Sequence, residues 1–338
     1  MRAFVIHGKL DAQVEDIETP RPKEGQVLVR VAYVGICGSD LHYYNDGANG
    51  DFVVREPFVP GHELSGTIAA DPSGTYAEGT PVTIHPARFG KEDKRYGRHL
   101  WAEGSYLGSA STWPHTQGAM SEYLLVDDFM VRALPEGLDL KTAALAEPLA
   151  VGLHGITIAE GAKDAKVLVS GSGPIGLLAA AAARARGASE VWATDLLAGP
   201  LSRAAALGVD RAVNVATDEL PEDYFDLVLE CTGVPAALNG IAPALRKAGV
   251  VAQVGMFPAG PQPIAMAPLL SKEAQLRGAF RFDDEIDEAI EVLAAHPDLA
   301  EPVITHCVPL ARAKEAFEIA GDSEASGKVL VDLTGEED

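Results

Sequence analysis

The run KVLVSGSGPIGLLAAAAARARG, residues 166–187, constrains the fold more tightly than any other stretch of the chain. Its GSGPIG core, residues 171–176, matches G-x-G-x-x-G, a pattern that is weak when it stands alone. Here it follows an apolar strand-like run and opens an alanine-rich helical one, and Asp195 closes the next strand-like run 24 positions after Gly171. That order and spacing describe a dinucleotide-binding βαβ unit. Gly171 allows the tight turn, Gly173 lets a pyrophosphate approach the backbone, and Gly176 lets helix and strand pack closely. Pro174 and Ile175 begin the helix whose free N–H groups face the phosphates. Gly255, after the run VVAQV, joins the same cofactor-binding set. Asp195 is placed to take the adenine-ribose hydroxyls, and its charge repels a 2′-phosphate, so NAD is expected over NADP. Residues 196–199 supply no arginine, but Arg203 lies a little further on and leaves NADP open.

From residue 166 onward six β-like runs alternate with helical ones: KVLVS, EVWAT, RAVNV, FDLVLE, VVAQV and QLRGAFRF. This alternation predicts an α/β fold with a parallel, doubly wound Rossmann sheet. Upstream, VLVRVAYV, LSGTIAA, PVTIH and AMSEYLLV are β-like runs broken by Gly and Pro, so the first portion reads as mostly β. The tail holds two helical runs, residues 284–296 and 310–320, and closes with the strand-like GKVLVDL. It reads as rejoining the first portion. Residues 1–149 and 284–338 are therefore expected to form one domain, with a nucleotide-binding domain, residues 150–283, inserted between its pieces. A chain of 338 residues is long enough to give each domain its own core.

A net charge of -22 argues against a nucleic-acid partner, because phosphate backbones are bound by basic surfaces. The same excess of acid means that an anionic substrate must be met by local cations. No stretch resembles a signal peptide or a membrane span, so no membrane partner and a cytoplasmic location are expected. The three cysteines, Cys37, Cys231 and Cys307, are far apart and odd in number, which predicts reduced thiols. Only Cys37 has polar company.

That company is GICGSDLHYY, followed by VPGHE, where His62 sits beside Glu63. Cysteine, histidine and carboxylate are zinc ligands, and a catalytic site keeps one position open. Cys37, His62 and Glu63 supply one ligand of each kind, and Glu147 in AEPLA is a further carboxylate at the junction of the two expected domains. HELSG lacks the second histidine of H-E-x-x-H, since Gly66 stands there, so a zinc peptidase helix is excluded.

Taken in order, GICGSDLHYY, GHE, AEPLAVGLH, SGSGPIGLL and GAFRF resemble the zinc-containing medium-chain alcohol and polyol dehydrogenases over essentially the whole chain. The longer runs GSDLHYYNDGANGDFVVREPFVPGHE, GSASTWPHTQGAMSEYLLV and LRGAFRFDDE are most similar to the L-idonate 5-dehydrogenase branch, with sorbitol and xylitol dehydrogenases as near relatives. The resemblance implies a GroES-like catalytic domain and NAD(P)-dependent oxidation of a secondary alcohol on a sugar acid or polyol. It matches Cys37, His62 and Glu63 to the catalytic zinc ligands and Glu147 to a carboxylate that holds the zinc water or exchanges into the metal shell. Ser39 and His42 match a proton relay, while Tyr43, Tyr123 and Arg281 match substrate-pocket positions, Arg281 as the cation for a carboxylate.

Many relatives carry a second, structural zinc on a cysteine-rich lobe, but the corresponding ARFGKEDKRYGRHLWAEGSYLG has no cysteine. One catalytic zinc and no structural zinc are therefore expected. Arg88, Lys91, Lys94, Arg95 and Arg98 crowd this lobe, which suggests ionic contacts to acidic surface, with a neighbouring subunit as the candidate partner. The resemblance also implies a homodimer or homotetramer. Three functions stay open: an L-idonate dehydrogenase, a sorbitol or xylitol dehydrogenase, and a nucleotide-binding protein without turnover.

Overall fold

In a computed structural model the described residues are 1–335. The valines of QVLVRVAYVG alternate about the backbone, so strand β1 (Gln26–Gly35) buries Val27, Val29, Val31 and Val34 on one side. It pairs antiparallel with β2 (Glu63–Ala70) and with β3 (Tyr123–Asp127). The seven-stranded sheet around it also contains Pro81–Ile84, Val131–Ala133, Ile304–Pro309 and Lys328–Asp332. The last of these lies antiparallel beside β1, opposite Tyr33, Val34 and Gly35. The tail thus returns to the first sheet, and its helix Ala313–Ala320 seats Phe317 against Phe4 with ring centres 5.0 Å apart.

The second sheet has six strands, parallel throughout, in the order Arg211–Asn214, Glu190–Asp195, Lys166–Ser170, Phe225–Glu230, Leu245–Gln253 and Gln275–Gly278. The order reverses between the first and fourth strands along the chain, and a doubly wound sheet opens its ligand crevice at that point. All six expected runs are strands here. The last ends at Gly278, because the chain then leaves the sheet and Arg281 adopts a left-handed φ of 55°. QLRGAFRF is therefore half strand and half turn.

Two helices bridge to this sheet. Ala146–Ile158 lies against Pro174–Ala185 so closely that a methyl group at Gly152 would meet the Ala179 backbone at 2.9 Å. Glu285–Ala295 buries Ile286, Ala289, Ile290 and Leu293 in the same core as Leu149 and Leu177. We propose the domain division at 149/150 and 283/284 for the two sheets, with Glu285–Ala295 docked across the boundary onto the nucleotide-binding side. Among the described residues no helix is long and apolar enough to cross a membrane.

The basic lobe finds its acids within its own chain. Arg88 pairs with Asp127 at 2.6 Å, Arg95 with Asp93 at 2.6 Å, Lys94 with Glu92 at 3.7 Å, and Arg98 with Asp283 at 2.8 Å and with Asp284. Ionic contact is present as expected. The Arg98 pairs tie the lobe to the turn before Glu285–Ala295, so holding it in place requires no second subunit.

Candidate metal and dinucleotide site

Cys37 leaves the end of β1 as the N-cap of the helix Gly38–Asp46. The buried carboxylate of Asp40 accepts the Cys37 N–H at 2.9 Å through one oxygen and the Gly61 N–H at 3.0 Å through the other. One side chain therefore ties the cysteine turn to the VPGHE turn, and burial raises its pKa above the usual aspartate value. Glu63 begins β2 directly opposite Gly35. A methyl group at residue 35 would lie 2.2 Å from a Glu63 oxygen, so glycine makes the room that this carboxylate occupies.

The result is a compact donor set. One ligand atom each from Cys37, His62 and Glu63 lie within 4.8 Å of one another. His62 Nδ1 is buried with no hydrogen-bond partner, an arrangement that costs free energy unless something binds there. Burial works against a charged His62 ring, but Cys37, Asp40 and Glu147 outweigh it and lift its pKa to about 10. The cluster is short of positive charge. Thiolate, imidazole and carboxylate are what zinc takes, so these residues fit that ion.

Two neighbours complete the chemistry, and sequence reasoning missed both. Lys328 is buried, donates from Nζ to the Ile36 carbonyl at 3.1 Å and to Glu63 Oε1 at 2.7 Å, and lies 2.6 Å from Oε2. Burial works against its charge, but Glu63, Cys37 and Glu147 hold its pKa above the ordinary lysine value. Tyr106 donates its hydroxyl to Glu147 Oε1 at 2.5 Å. Burial raises the Glu147 pKa and pushes the Tyr106 pKa far up, so a neutral phenol donates here. Above the Tyr106 ring, at 4.1 Å, lies the guanidinium of Arg281. That cation–π contact brings a half-buried cation to within one side chain of Glu147.

The glycine loop adopts the expected geometry. Gly171 has φ 92°, and a methyl group at Gly176 would meet the Gly171 carbonyl at 1.8 Å. A methyl group at Gly173 would meet open space, which leaves the helix N-terminus beginning at Pro174 and Ile175 accessible. Asp195 Oδ2 accepts the Ser172 N–H at 2.9 Å, and Oδ1 accepts the amides of Leu196 and Leu197 at 2.8 and 3.1 Å. Gly255 lies against Gly233, where a methyl group would be 2.2 Å from the backbone nitrogen. A cavity of about 590 Å³, bordered by Leu197, Tyr44, Asn45, Phe317 and Glu324, opens beside this end of the sheet, within the size range of ligand pockets.

A model of the alcohol dehydrogenase GroES-like domain matches residues 23–136, and a model of the zinc-binding dehydrogenases matches residues 174–295. The chain belongs to the zinc-binding alcohol dehydrogenase family. L-idonate 5-dehydrogenase (NAD(P)(+)) of Escherichia coli is 33% identical over 97% of this chain and 97% of its own length. Sorbitol dehydrogenase of Gallus gallus is 34% identical over 94% of this chain and 92% of its own. The solved structure of the Escherichia coli L-idonate 5-dehydrogenase superposes with a TM-score of 0.92 at 32% identity, covering 98% of this chain and 97% of that one. The fold is thus a GroES-like domain with a Rossmann domain, and the relatives act on a sugar acid and a polyol.

The remaining expected residues lie on the helix after Cys37 and on β3. Ser39 lies in the first turn after Cys37, and His42, with 62% of its side chain exposed, bonds Asp46 at 3.2 Å on the solvent face of the same helix. Tyr43 is buried, packs edge-on against Phe58, and accepts the Ala110 N–H on its hydroxyl at 3.1 Å. Tyr123 lies opposite Arg30 on β1. That is five residues from Gly35, roughly 16 Å along a strand. Its backbone is set in the sheet well away from the donor set.

Proposed function

We propose that this zinc-binding dehydrogenase oxidises a secondary alcohol of a sugar acid, L-idonate to 5-keto-D-gluconate, with NAD as acceptor and a single catalytic zinc. Arg281 carries this reading. In a chain of net charge -22, a half-buried guanidinium stacked on Tyr106, whose hydroxyl bonds Glu147, is a receptor suited to a substrate carboxylate. When bound, zinc supplies Lewis acidity that makes a substrate hydroxyl easier to deprotonate, and the nicotinamide supplies the hydride acceptor.

The chain's own residues do the rest in this reading. Cys37, His62 and Glu63 hold the ion, and Lys328 fixes the Glu63 carboxylate from behind. Glu147, oriented by the Tyr106 hydroxyl, stands outside that three-ligand set and is poised to steady a polar group in the open position. Half-buried Ser39 takes the substrate proton, and exposed His42 delivers it to water. The Asp195 charge favours NAD over NADP. A homo-oligomer of two or four subunits completes the proposal.

The similarity to sorbitol dehydrogenases favours a second reading, a polyol substrate whose hydroxyls meet Arg281. NADH formation with L-idonate, D-gluconate, sorbitol and xylitol separates the two. The sugar-acid reading expects kcat/KM for L-idonate to be at least about tenfold the highest polyol value, and expects Arg281→Gln to remove that advantage. A polyol preference in the unaltered protein would overturn it.

A further inference from the structure

A turn from the tail of the chain meets the helix that follows Asp195. Residues 322–325 follow the helix Ala313–Ala320, and they reach across to the helix Ala198–Ala206, which begins three residues after Asp195. Glu324 accepts the Gly199 N–H on its carboxylate at 3.0 Å. Arg203, one turn further along that helix, donates to the Ser323 carbonyl at 2.8 Å and the Glu324 carbonyl at 3.1 Å. The approach is close: a methyl group at Gly199 would lie 1.9 Å from the Glu324 carbonyl oxygen.

An NADP 2′-phosphate differs from the NAD ribose hydroxyl by a doubly charged group that needs N–H or cationic partners near Asp195. The free amides at the start of Ala198–Ala206 and the guanidinium of Arg203 are the donors this region offers. Both are already used. The amide of Gly199 holds an anion in the form of Glu324, and each terminal nitrogen of Arg203 donates to a backbone carbonyl of the turn. Its Nε is buried without a partner, and the guanidinium feels the charges of both Glu324 and Asp195. Leu197, two residues after Asp195, and Glu324 border the same cavity.

We propose that Glu324 is a cofactor-selecting residue, which together with Asp195 rejects a 2′-phosphate from two different domains. Asp195 repels it from the Rossmann strand, while Glu324 occupies its amide site and the turn it belongs to engages Arg203. This inference rests on the NAD reading above and adds a determinant that the G-x-G-x-x-G fingerprint does not contain.

The test is the pair of dissociation constants for NADH and NADPH, read by nicotinamide fluorescence on the full-length protein. Glu324→Gln is expected to tighten NADPH at least fivefold while NADH changes less than twofold. Asp195→Asn with Glu324→Gln is expected to tighten NADPH further than either change alone. Glu318→Gln, which removes another acid bordering the cavity, is expected to leave the ratio within twofold. A Glu324→Gln ratio equal to that of the unaltered protein would overturn the role of Glu324 and leave the NAD reading intact. Equal weakening of both cofactors would also overturn it, because the turn would then be a structural clasp. Equal affinities in the unaltered protein would overturn both.

Discussion

Replacing Lys328 with methionine tests how the donor set is held together. The Lys328 and Glu63 side chains are 2% and 0% exposed, and their charged groups are 2.6 Å apart. Methionine fills a similar volume but removes the cation that contacts the buried Glu63 carboxylate. Removing one partner of a buried ion pair costs about 3–5 kcal/mol. The entropy of unfolding is about 2.1 cal/mol/K per residue. For 338 residues, such a loss lowers the melting temperature by roughly 4–7 °C. The measurement is thermal unfolding of the chelator-treated and the zinc-loaded protein, unaltered and Lys328→Met. With zinc bound, the ion takes over the charge of Glu63, so the drop is expected to be less than half as large. A drop of about 1 °C or less without metal would show that Glu63 is not held by Lys328. An equal drop in both states would show that Lys328 supports the fold and not the charge balance at the ligands.

Three further outcomes follow from the same geometry. Removing the Tyr106 hydroxyl (Tyr106→Phe) takes a hydrogen bond from buried Glu147, worth about 1.5–3 kcal/mol for a charged acceptor; kcat/KM is expected to fall at least about tenfold while zinc content, measured by atomic absorption, stays unchanged. Cys37→Ser is expected to lower zinc content well below one per chain while NADH binding persists, since the glycine loop lies on the other domain. The Glu285 carboxylate is opposed by burial, but its bond to His154 at 2.9 Å and a backbone amide hold its pKa down to about 2. Its folded value lies below its unfolded one, so its contribution is present above about pH 4.5 and is lost as pH falls toward 2. After allowance for solvent reaching the pair, Glu285→Gln is expected to cost about 1–2 kcal/mol in urea unfolding at pH 7 and to converge with the unaltered protein only as pH falls through about 2.

Much of the site was legible because its parts are local. Cys37 and Asp40 share one turn, His62 and Glu63 are adjacent, and residues 171–176 carry their own geometry in the placement of glycine. Alternating valines predict the strand that delivers Cys37, and apolar strands alternating with alanine-rich runs predict the parallel sheet. Lys328 was not legible. It meets Glu63 across 265 residues, and in the sequence it is only the polar start of an apolar strand. Tyr106 lies 41 residues before Glu147 in a loop with no periodic pattern, so nothing local marks its hydroxyl. Tyr123 was named from a resemblance alone, and the pairing of β3 with β1 sets it opposite Arg30.

The chain's own order of residues determined which chemistry is present: a cofactor loop from glycine spacing, three zinc-type donors from two short turns, and strands from alternation. Each of these depends on neighbours within a few residues, where backbone geometry is read directly from side-chain type. Tertiary structure alone decided which charges face one another. Lys328 against Glu63, Arg281 over Tyr106 and Glu324 on Gly199 join segments far apart in sequence. The energy of a charge depends on what lies within a few ångströms once water is excluded, and only the folded chain sets that distance.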